Sequence, residues 1–297
     1  MKVLVTGSEG FIGRHLTRYL KQKKYDVLTL DVKGSADVKC DVTDHDSFSD
    51  VVKTFKPDWA VHLAAYMGEL PYEHFRVNAY GAAVVADVCS WFGVKLLFMS
   101  SGAIFGRNPA GVPVKECEVI PFPENPYALS KMVAEDVIEY YKRKHNLEAC
   151  VLRSWDVVGE GVERSRGTII ARFVEKIRKG EDVSLYCYGD QIFDVNYVGN
   201  LCHAIELCIS QPEKSIGEVF HVGSGEAHSL YWMVKVMKRH ARSRSKIMLL
   251  HPREGEQPIV SYPDITKIRQ LLGYQPQVDV EEALRRTIKN LIERIES

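Results

Sequence analysis

Short apolar runs alternate with longer segments of helical periodicity through the first half of the chain. The apolar runs predict buried strands at residues 2–6, 26–30, 59–64, 95–100 and 148–153. The segments with apolar residues at three- and four-residue intervals predict helices at 11–23, 44–55, 74–92 and 126–145. Strands separated by helices form a parallel sheet that is covered on both faces, and right-handed crossovers make such a sheet doubly wound.

After residue 156 the alternation is less regular, and the loops contain more Gly, Pro and charge. The pattern there predicts strands at 183–187 and 218–222 and helices near 167–179, 199–210, 228–241, 264–272 and 280–295. We therefore expect an α/β protein with a Rossmann-type doubly wound parallel sheet and a smaller C-terminal α/β lobe. The predicted sheet domain is 1–156 plus 191–222, and the predicted lobe is 157–190 plus 223–297.

Composition excludes several classes of partner. The 297 residues include 39 acidic side chains and 39 Lys plus Arg, so the formal charge is zero and favours neither nucleic acid nor a membrane surface. The seven cysteines form no C-x-x-C pair, and we expect reduced thiols in a cytoplasmic protein, with no disulfide framework or metal site. No apolar run approaches the length of a membrane span.

The stretch "VLVTGSEGFIG" (3–13) places three glycines between the first strand and the first helix. Gly7 permits a tight exit from the strand, Gly10 allows the backbone to approach a phosphate, and Gly13 allows the helix to pack close to the strand. The first amides of a helix have no internal partners and carry partial positive charge, so a diphosphate fits there. Taken alone, the three glycines are also compatible with a tight packing turn.

Two acids extend this pattern. Asp31 lies at the end of the second predicted strand, where a carboxylate accepts hydrogen bonds from the adenosine ribose of a dinucleotide. A carboxylate there repels a 2′-phosphate, so NAD is favoured over NADP, although Lys33 lies close enough to reduce the preference. Asp41 is expected near the adenine. Each acid is also compatible with an ordinary loop position.

Tyr127 and Lys131 are four residues apart on a predicted helix, and therefore share one face. A phenol has a pKa of about 10; a nearby ammonium favours the phenolate, and a bound nicotinamide in its oxidised, cationic form acts in the same direction. Ser101 ends a predicted strand at the sheet edge where ligands bind, and its hydroxyl can orient the same substrate oxygen. The set fits removal of a proton from an alcohol coupled to hydride transfer.

The sequence resembles the extended short-chain dehydrogenases/reductases, in particular the NAD-dependent nucleotide-sugar epimerase/dehydratase family. The matching stretches cover nearly the whole chain and include "TGSEGFIG", "HLAA" (62–65), "NAYG" (78–81), "SSGAIFG" (100–106), "PYALSK" (126–131), "YVGN" (197–200) and "PREGE" (252–256). The resemblance implies that Ser101, Tyr127 and Lys131 are the catalytic triad. It implies an NAD site lined by Gly7, Gly10, Phe11, Ile12, Gly13, Asp31, Asp41, Val42, Leu63, Ala64, Ala65, Asn78, Ser100, Tyr127 and Lys131.

The resemblance leaves the reaction open. Dehydratases and decarboxylases of the family carry an acid directly after the catalytic Ser or Thr, whereas this chain has Gly102. This favours a 4-epimerase of the UDP-glucose 4-epimerase type. An NAD-dependent dehydrogenase or reductase of a non-nucleotide alcohol or sugar remains the alternative. A non-enzymatic NAD sensor is a third hypothesis, against which the intact Ser–Tyr–Lys set argues.

The expected substrate is a small molecule, a nucleotide sugar, contacted by Ser101, Asp156 and Arg253. Arg253 matches a phosphate-binding arginine of the family. Asp156 replaces the usual Asn and Phe193 a usual Arg, and both changes disfavour a diphosphate. The arginines that could compensate, or could be solvated, are Arg164, Arg166 and Arg172.

The resemblance also implies a homodimer. Family members often dimerise through two long helices, which correspond here to residues 74–92 and 126–145. The apolar positions that could form this contact, or could be buried within one subunit, are Val84, Val88, Val133, Val137 and Tyr141.

Overall fold

The computed structural model describes residues 1–106, 111–117, 121–162 and 169–296. The strands are β1 (Lys2–Thr6), β2 (Asp26–Asp31), β3 (Val38–Lys39), β4 (Trp59–His62), β5 (Lys95–Ser101), β6 (Ala149–Ser154), β7 (Asp156–Val158), β8 (Val183–Leu185), β9 (Ile192–Tyr197), β10 (Val219–Val222), β11 (Ala227–Ser229), β12 (Ile247–Leu249) and β13 (Val260–Ser261). The helices are α1 (Phe11–Gln22), α2 (His45–Phe55), α3 (Pro71–Glu73), α4 (Gly81–Phe92), α5 (Pro126–His145), α6 (Ile169–Lys179), α7 (Val198–Ser210), α8 (Pro212–Ser215), α9 (Leu230–Ala241), α10 (Thr266–Leu272) and α11 (Val280–Glu296).

The main sheet has seven parallel strands in the order β10-β6-β5-β4-β1-β2-β3. The strand order reverses at β1, which lies between β2 and β4, and ligands of such sheets bind beside this reversal at the carboxyl ends of the strands. Burial explains why the core strands are continuously apolar, since each face of the sheet is covered. One face packs against α1, α7 and α10, and the other against α2, α4 and α5. The predicted doubly wound sheet is confirmed.

The second part of the chain forms two small sheets over their own apolar core. One sheet joins β7, β9, β11 and β13, and the other joins β8 and β12. Helices α6, α9 and α11 supply most of this core. We expected residues 191–222 to return to the main sheet, but β9 pairs with β7, β11 and β13 instead, and only α7 and β10 return. The division into two domains at the stated boundaries stays a prediction.

The segment predicted as one helix over 74–92 is a composite. It follows α3 directly, starts as a π-helix over His74–Tyr80 and ends as α4. A π-helix is rare and often occurs beside functional sites. This one turns His74 and Asn78 into the interior, next to the start of α5. Within the described ranges, no helix has both the length and the hydropathy that crossing a bilayer requires.

Candidate active site

The glycine turn lies between β1 and α1 and admits no larger side chain at two of its glycines. Gly7 has φ +67, and a Cβ there would lie 2.6 Å from the backbone nitrogen of Ala64. A Cβ on Gly13 would lie 2.2 Å from the carbonyl oxygen of Gly7. Gly10 is less constrained, since its φ is −69 and a Cβ would meet only that carbonyl oxygen, at 3.2 Å. The turn therefore packs directly against the loop after β4.

The start of α1 has the character of an anion site. Gly10 is the N-cap residue and supplies no capping side chain, so the first amides, from Phe11 and Ile12 onward, lack a side-chain partner. The hydroxyl of Ser8 is buried and has no hydrogen-bond partner. Unpaired amides and a hydroxyl in a cradle without Cβ atoms fit a diphosphate. The residues present therefore fit the dinucleotide that the sequence predicts.

Asp31 is fixed beside this turn. One of its oxygens, Oδ2, accepts a hydrogen bond from the Glu9 amide at 3.0 Å, and Oδ1 accepts one from the Lys33 amide at 3.0 Å. The side chain of Glu9 in turn pairs with Arg14. The carboxylate at the end of β2 is therefore held next to the glycine turn, where the ribose prediction requires it.

Asp41 and Val42 follow β3 at the edge of the main sheet. Burial raises the pKa of the Asp41 carboxyl, but hydrogen bonds from Thr43 and the charge of Arg76 outweigh it and lower the pKa. Thr43 donates to Asp41 Oδ1 through its amide at 3.0 Å and its hydroxyl at 2.9 Å. Val42 is buried in the core beneath.

Leu63, Ala64 and Ala65 form the loop after β4, which is tied to β1 and to α5. The amides of Leu63 and Ala64 donate to the carbonyl and hydroxyl of Thr6, at 3.2 and 3.3 Å. Asn78 fastens the next residue, since its Oδ1 accepts from the Tyr66 amide at 2.7 Å.

The other end of the Asn78 side chain bonds α5. Its Nδ2 donates to the Ser130 hydroxyl at 3.0 Å, and that hydroxyl donates to the Tyr127 carbonyl at 2.7 Å. Asn78 therefore connects the loop after β4 to the helix that carries Tyr127, and its place behind the cofactor stays a prediction.

Ser101 and Tyr127 are brought together at the carboxyl end of β5. Asn125 caps α5, its Oδ1 accepting from the Ala128 amide at 2.9 Å, and this sets Tyr127 in the first turn of the helix. Burial raises the pKa of the Tyr127 phenol, a hydrogen bond with Ser101 lowers it, and the charge of Asp156 raises it. The net direction is upward.

The upward direction shows that Lys131 alone does not offset burial and Asp156 at the phenol, so the second positive charge in the prediction, that of the oxidised nicotinamide, is needed. Lys131 is buried, its Nζ donates to the Met99 carbonyl at 2.8 Å, and it lies 4.9 Å from the ring centroid of Phe98. Burial lowers the pKa of Lys131 to about 8, although the charge of Glu135 raises it. Because burial and Asp156 dominate at Tyr127, the phenolate needs a further positive charge from a bound molecule.

Asp156 begins β7 and acts electrostatically on Tyr127. Burial raises the pKa of its carboxyl to about 6. The structure therefore brings this predicted substrate residue close to the catalytic pair, and the carboxyl is anionic over most of the neutral range.

Ser100 lies at the end of β5. Its hydroxyl is buried and donates to Glu135 Oε1, and its contact with the cofactor stays a prediction. Glu135 also pairs with Arg153, and the sequence analysis missed both residues. The signal for Glu135 was its position four residues after Lys131, on the same face of α5.

Arg253 lies in the second part of the chain and is exposed. Its guanidinium lies 4.1 Å from the ring centroid of Tyr186, and its amide donates to Glu256 Oε2 at 2.9 Å. Tyr186, which the sequence analysis missed, precedes Cys187 and Tyr188, two non-glycine residues with positive φ. Arg172 is exposed on α6, whereas Arg164 and Arg166 lie outside the described residues.

The parallel sheet, the glycine turn and the Ser–Tyr pair define a dinucleotide-dependent enzyme of the short-chain dehydrogenase/reductase class. The sequence profile of the NAD dependent epimerase/dehydratase family matches residues 3–223. The chain belongs to that family, and NAD is its cofactor. The predicted family, fold class, enzyme class and cofactor are confirmed.

Solved structures and relatives match this chain over nearly its full length. A UDP-glucose 4-epimerase of Thermotoga maritima, solved with UDP-glucose, is 28% identical, has a TM-score of 0.89, and matches 99% of this chain and 100% of its own. A UDP-glucose 4-epimerase of Thermus thermophilus, solved with NAD, is 28% identical, has a TM-score of 0.83, and matches 98% of both chains. A UDP-glucuronic acid decarboxylase 1 of Danio rerio is also 28% identical, over 99% of this chain and 73% of its own. Identity at this level does not distinguish epimerase from decarboxylase.

Proposed function

We propose that the chain is an NAD-dependent nucleotide-sugar 4-epimerase. The observation that carries the proposal is the packing directly after Ser101. A Cβ on Gly102 would lie 2.4 Å from the ring of Trp155, which is itself held by a 3.1 Å hydrogen bond from its Nε1 to Ser261. An acidic side chain at Gly102, as the family's dehydratases and decarboxylases carry, does not fit. Elimination or decarboxylation chemistry is therefore disfavoured.

The residues that would hold NAD follow the geometry already described. The turn from Gly7 to Gly13, with Phe11 and Ile12, would bind the diphosphate, and Asp31 would bind the adenosine ribose. Asp41 and Val42 would border the adenine. The wall along the dinucleotide would be formed by Leu63, Ala64, Ala65, the main chain of Ser100, and Asn78 behind them. Tyr127 and Lys131 would border the nicotinamide ribose.

When bound, NAD supplies a reversible hydride acceptor and, in its oxidised form, a positive charge. Tyr127 takes the proton of the sugar hydroxyl and later returns it. Ser101, whose hydroxyl lowers the pKa of the phenol, orients the same substrate oxygen. Lys131 holds its ammonium between the end of β5 and α5. In a 4-epimerase the keto sugar would turn over before the hydride is returned to its other face, so the configuration at that carbon would invert and no net oxidation would remain.

The second candidate is a net dehydrogenase or reductase of an alcohol without a diphosphate. Two observations favour it. Asp156 places an anion close to Tyr127, and a diphosphate nearby would be repelled. Phe193, where the family has an arginine, packs against the apolar core of the second lobe and offers no cation.

A screen of UDP-, GDP- and dTDP-sugars with product analysis tests the proposal. The expected result is interconversion of sugar epimers without accumulation of NADH. Accumulation of stoichiometric NADH would instead identify the dehydrogenase. Tyr127→Phe is expected to lower turnover by at least about 100-fold, because the acid–base group is lost, while NAD affinity stays within a few-fold.

The control is Tyr72→Phe, which removes an exposed phenol on α3 and should leave turnover unchanged. Near-normal turnover of Tyr127→Phe would remove Tyr127 from the mechanism. Unchanged turnover in both variants would also exclude a proton transfer by any of these phenols.

We also propose that two copies of the chain associate through α4, α5 and the π-helix. Tyr80 and Trp91 are eleven residues apart and therefore lie on one face, and both are exposed, Trp91 to 83%. Leu129 and Tyr140 repeat this spacing on α5, which packs against α4. Val84 and Val88 are buried in the core of one subunit, so they do not form the contact that the sequence allowed.

A further inference from the structure

Three consecutive residues at the end of β5 each contact one of three side chains spaced one helical turn apart on α5. The pairs are Ser101 with Tyr127, Met99 with Lys131, and Ser100 with Glu135. Residues four and eight positions apart share one helix face, so the three contacts fix the register of α5 against β5. Two of the three helix residues belong to the proposed catalytic set, and Glu135 has no role in it so far.

Glu135 is held from a second strand by Arg153. The guanidinium nitrogen Nε lies 3.0 and 3.1 Å from the two carboxylate oxygens, and Nη2 donates to Oε2 at 2.7 Å. Both side chains are almost fully buried, at 11% and 12% exposure. Arg153 is the neighbour of Ser100 across β5 and β6, so the carboxylate bridges two adjacent strands.

Arg153 is itself anchored on its far side. Its Nη1 donates to the Glu116 carbonyl at 3.1 Å, and its guanidinium lies 5.2 Å from the ring centroid of Phe105. A buried ion pair with this many satisfied donors is rigid, and removing one partner alone leaves a costly unpaired charge. Glu135 therefore cannot easily move away from β5.

The carboxylate also faces Lys131 from one turn along the helix, and its charge raises the pKa of that amine against the effect of burial. Among the described residues, the other titratable or charged groups around the cluster include His62 on β4, Glu116, Arg153 on β6, Asp156 on β7 and His221 on β10. Burial lowers the pKa of both histidines to about 3, so they are neutral at pH 7.

We propose that Glu135, clamped by Arg153 and Ser100, is a positioning residue that keeps Lys131 charged and holds α5 in register with the end of β5. The inference rests on the proposed function, since Tyr127 and Lys131 are the groups positioned. Glu135 acts through Lys131 and touches no substrate atom. Its loss should therefore change kcat and its pH dependence and leave KM nearly constant.

The first test is Glu135→Gln, measured as kcat against pH on the sugar that the screen identifies. Without the carboxylate, Lys131 loses its proton at lower pH, so the alkaline limb of the profile should move down by about one pH unit. KM should stay within about twofold. The matched control is Glu139→Gln, one turn further along α5, where the acid pairs with Lys142 and Arg143 at the surface. An unchanged profile in Glu135→Gln would overturn the proposal.

A double variant separates positioning from folding. Glu135→Gln combined with Arg153→Met removes both charges, so no unpaired ion is buried. The double variant is therefore expected to fold even if Glu135→Gln alone does not. The shifted profile should persist in the double variant, because Lys131 still lacks its carboxylate neighbour. Recovery of the wild-type profile would assign the pair a purely structural role and overturn the proposal.

A measurement without substrate distinguishes failure of this inference from failure of the proposed function. In protein labelled with ¹³C-lysine and free of NAD, the Lys131 resonance is assigned by its loss in Lys131→Met and titrated by NMR. Its midpoint should fall by about one pH unit in Glu135→Gln and in the double variant. An unmoved midpoint overturns the inference even if the sugar screen succeeds. A moved midpoint supports it even if no sugar is converted.

Discussion

At the scale of single residues, the environment of Tyr127 is set by a neighbour that opposes its proposed role. Asp156 raises the pKa of the phenol, and burial acts in the same direction. Asp156 has a pKa of about 6, so this opposition is present at neutral pH and is lost in acid, when the carboxyl becomes protonated. The pH dependence of the enzyme should therefore contain a contribution from Asp156.

Asp156→Asn tests this contribution. Removing the negative charge should lower the pKa of Tyr127, so the acid limb of kcat against pH should move to lower pH, by up to about one unit. Wild type and variant should converge below pH 6, where wild-type Asp156 is protonated. Profiles that coincide over the whole range would show that Asp156 does not act on the base.

The same substitution should also change stability. The folded pKa of Asp156, about 6, lies above its ordinary value of 3.8, so its folded form binds more protons than its unfolded form between these values. The contribution of Asp156 to the free energy of unfolding is therefore most favourable below about pH 4, and it is lost as the pH rises through 6. Asp156→Asn should raise the free energy of unfolding by at most about 3 kcal/mol at pH 7, a gain that disappears below pH 4 in urea titrations.

At the scale of elements, the glycine turn combines two requirements that one residue type meets. Gly13 allows α1 to contact the turn, while Gly10 leaves the start of α1 open. The first requirement concerns packing of the fold, and the second concerns approach of a phosphate. Substitutions should separate them.

Gly13→Ala places a Cβ 2.2 Å from the Gly7 carbonyl oxygen, so α1 must shift. The free energy of unfolding should fall by about 1–3 kcal/mol, and NAD affinity should fall at least tenfold. For Gly10→Ala, the free energy of unfolding should stay within about 1 kcal/mol of the wild-type value, because the added Cβ meets one atom, at 3.2 Å. This variant should nevertheless bind NAD more weakly. Denaturant titration measures the free energy of unfolding, and calorimetry measures the NAD affinity. Full NAD affinity in Gly10→Ala would place the diphosphate elsewhere.

At the scale of the whole molecule, the π-helix, α4 and α5 expose an aromatic face that includes Tyr80, Trp91 and Tyr140. Large exposed side chains at regular helical spacing are typical of an interface, because water contact with such a surface is unfavourable. Two copies meeting there would form a four-helix contact related by a two-fold axis.

Trp91→Lys combined with Tyr140→Lys should convert a dimer into a monomer in sedimentation velocity at micromolar concentration. Each change places a charge in the apolar face, which the isolated subunit tolerates because both positions are exposed. Met248→Lys, at an exposed position on β12, is the control and should leave the assembly unchanged. A monomeric wild-type protein at the same concentration would contradict the proposed assembly.

Long elements follow the periodicity of the sequence more closely than short ones. The long apolar strands of the main sheet and helix α5, at Pro126–His145, lie where periodicity predicted them. The strands missed were mostly short, including β3 and β13 of two residues each, because two residues carry no periodicity. β9 is longer, but three consecutive residues of its run "IFDVNY" are buried, so its burial does not follow an alternation of apolar and polar residues.

Local spacing in the sequence by itself determined the doubly wound sheet, the glycine turn and the shared helix face of Tyr127 and Lys131, because burial and helical period act over a few residues. Only the tertiary structure decided which way the pKa of Tyr127 moves and that Arg153, on another strand, clamps Glu135. It also decided that Trp155 closes the space beside Gly102. These outcomes depend on desolvation and on contacts between residues far apart in the chain, and a pattern along the chain does not contain those distances.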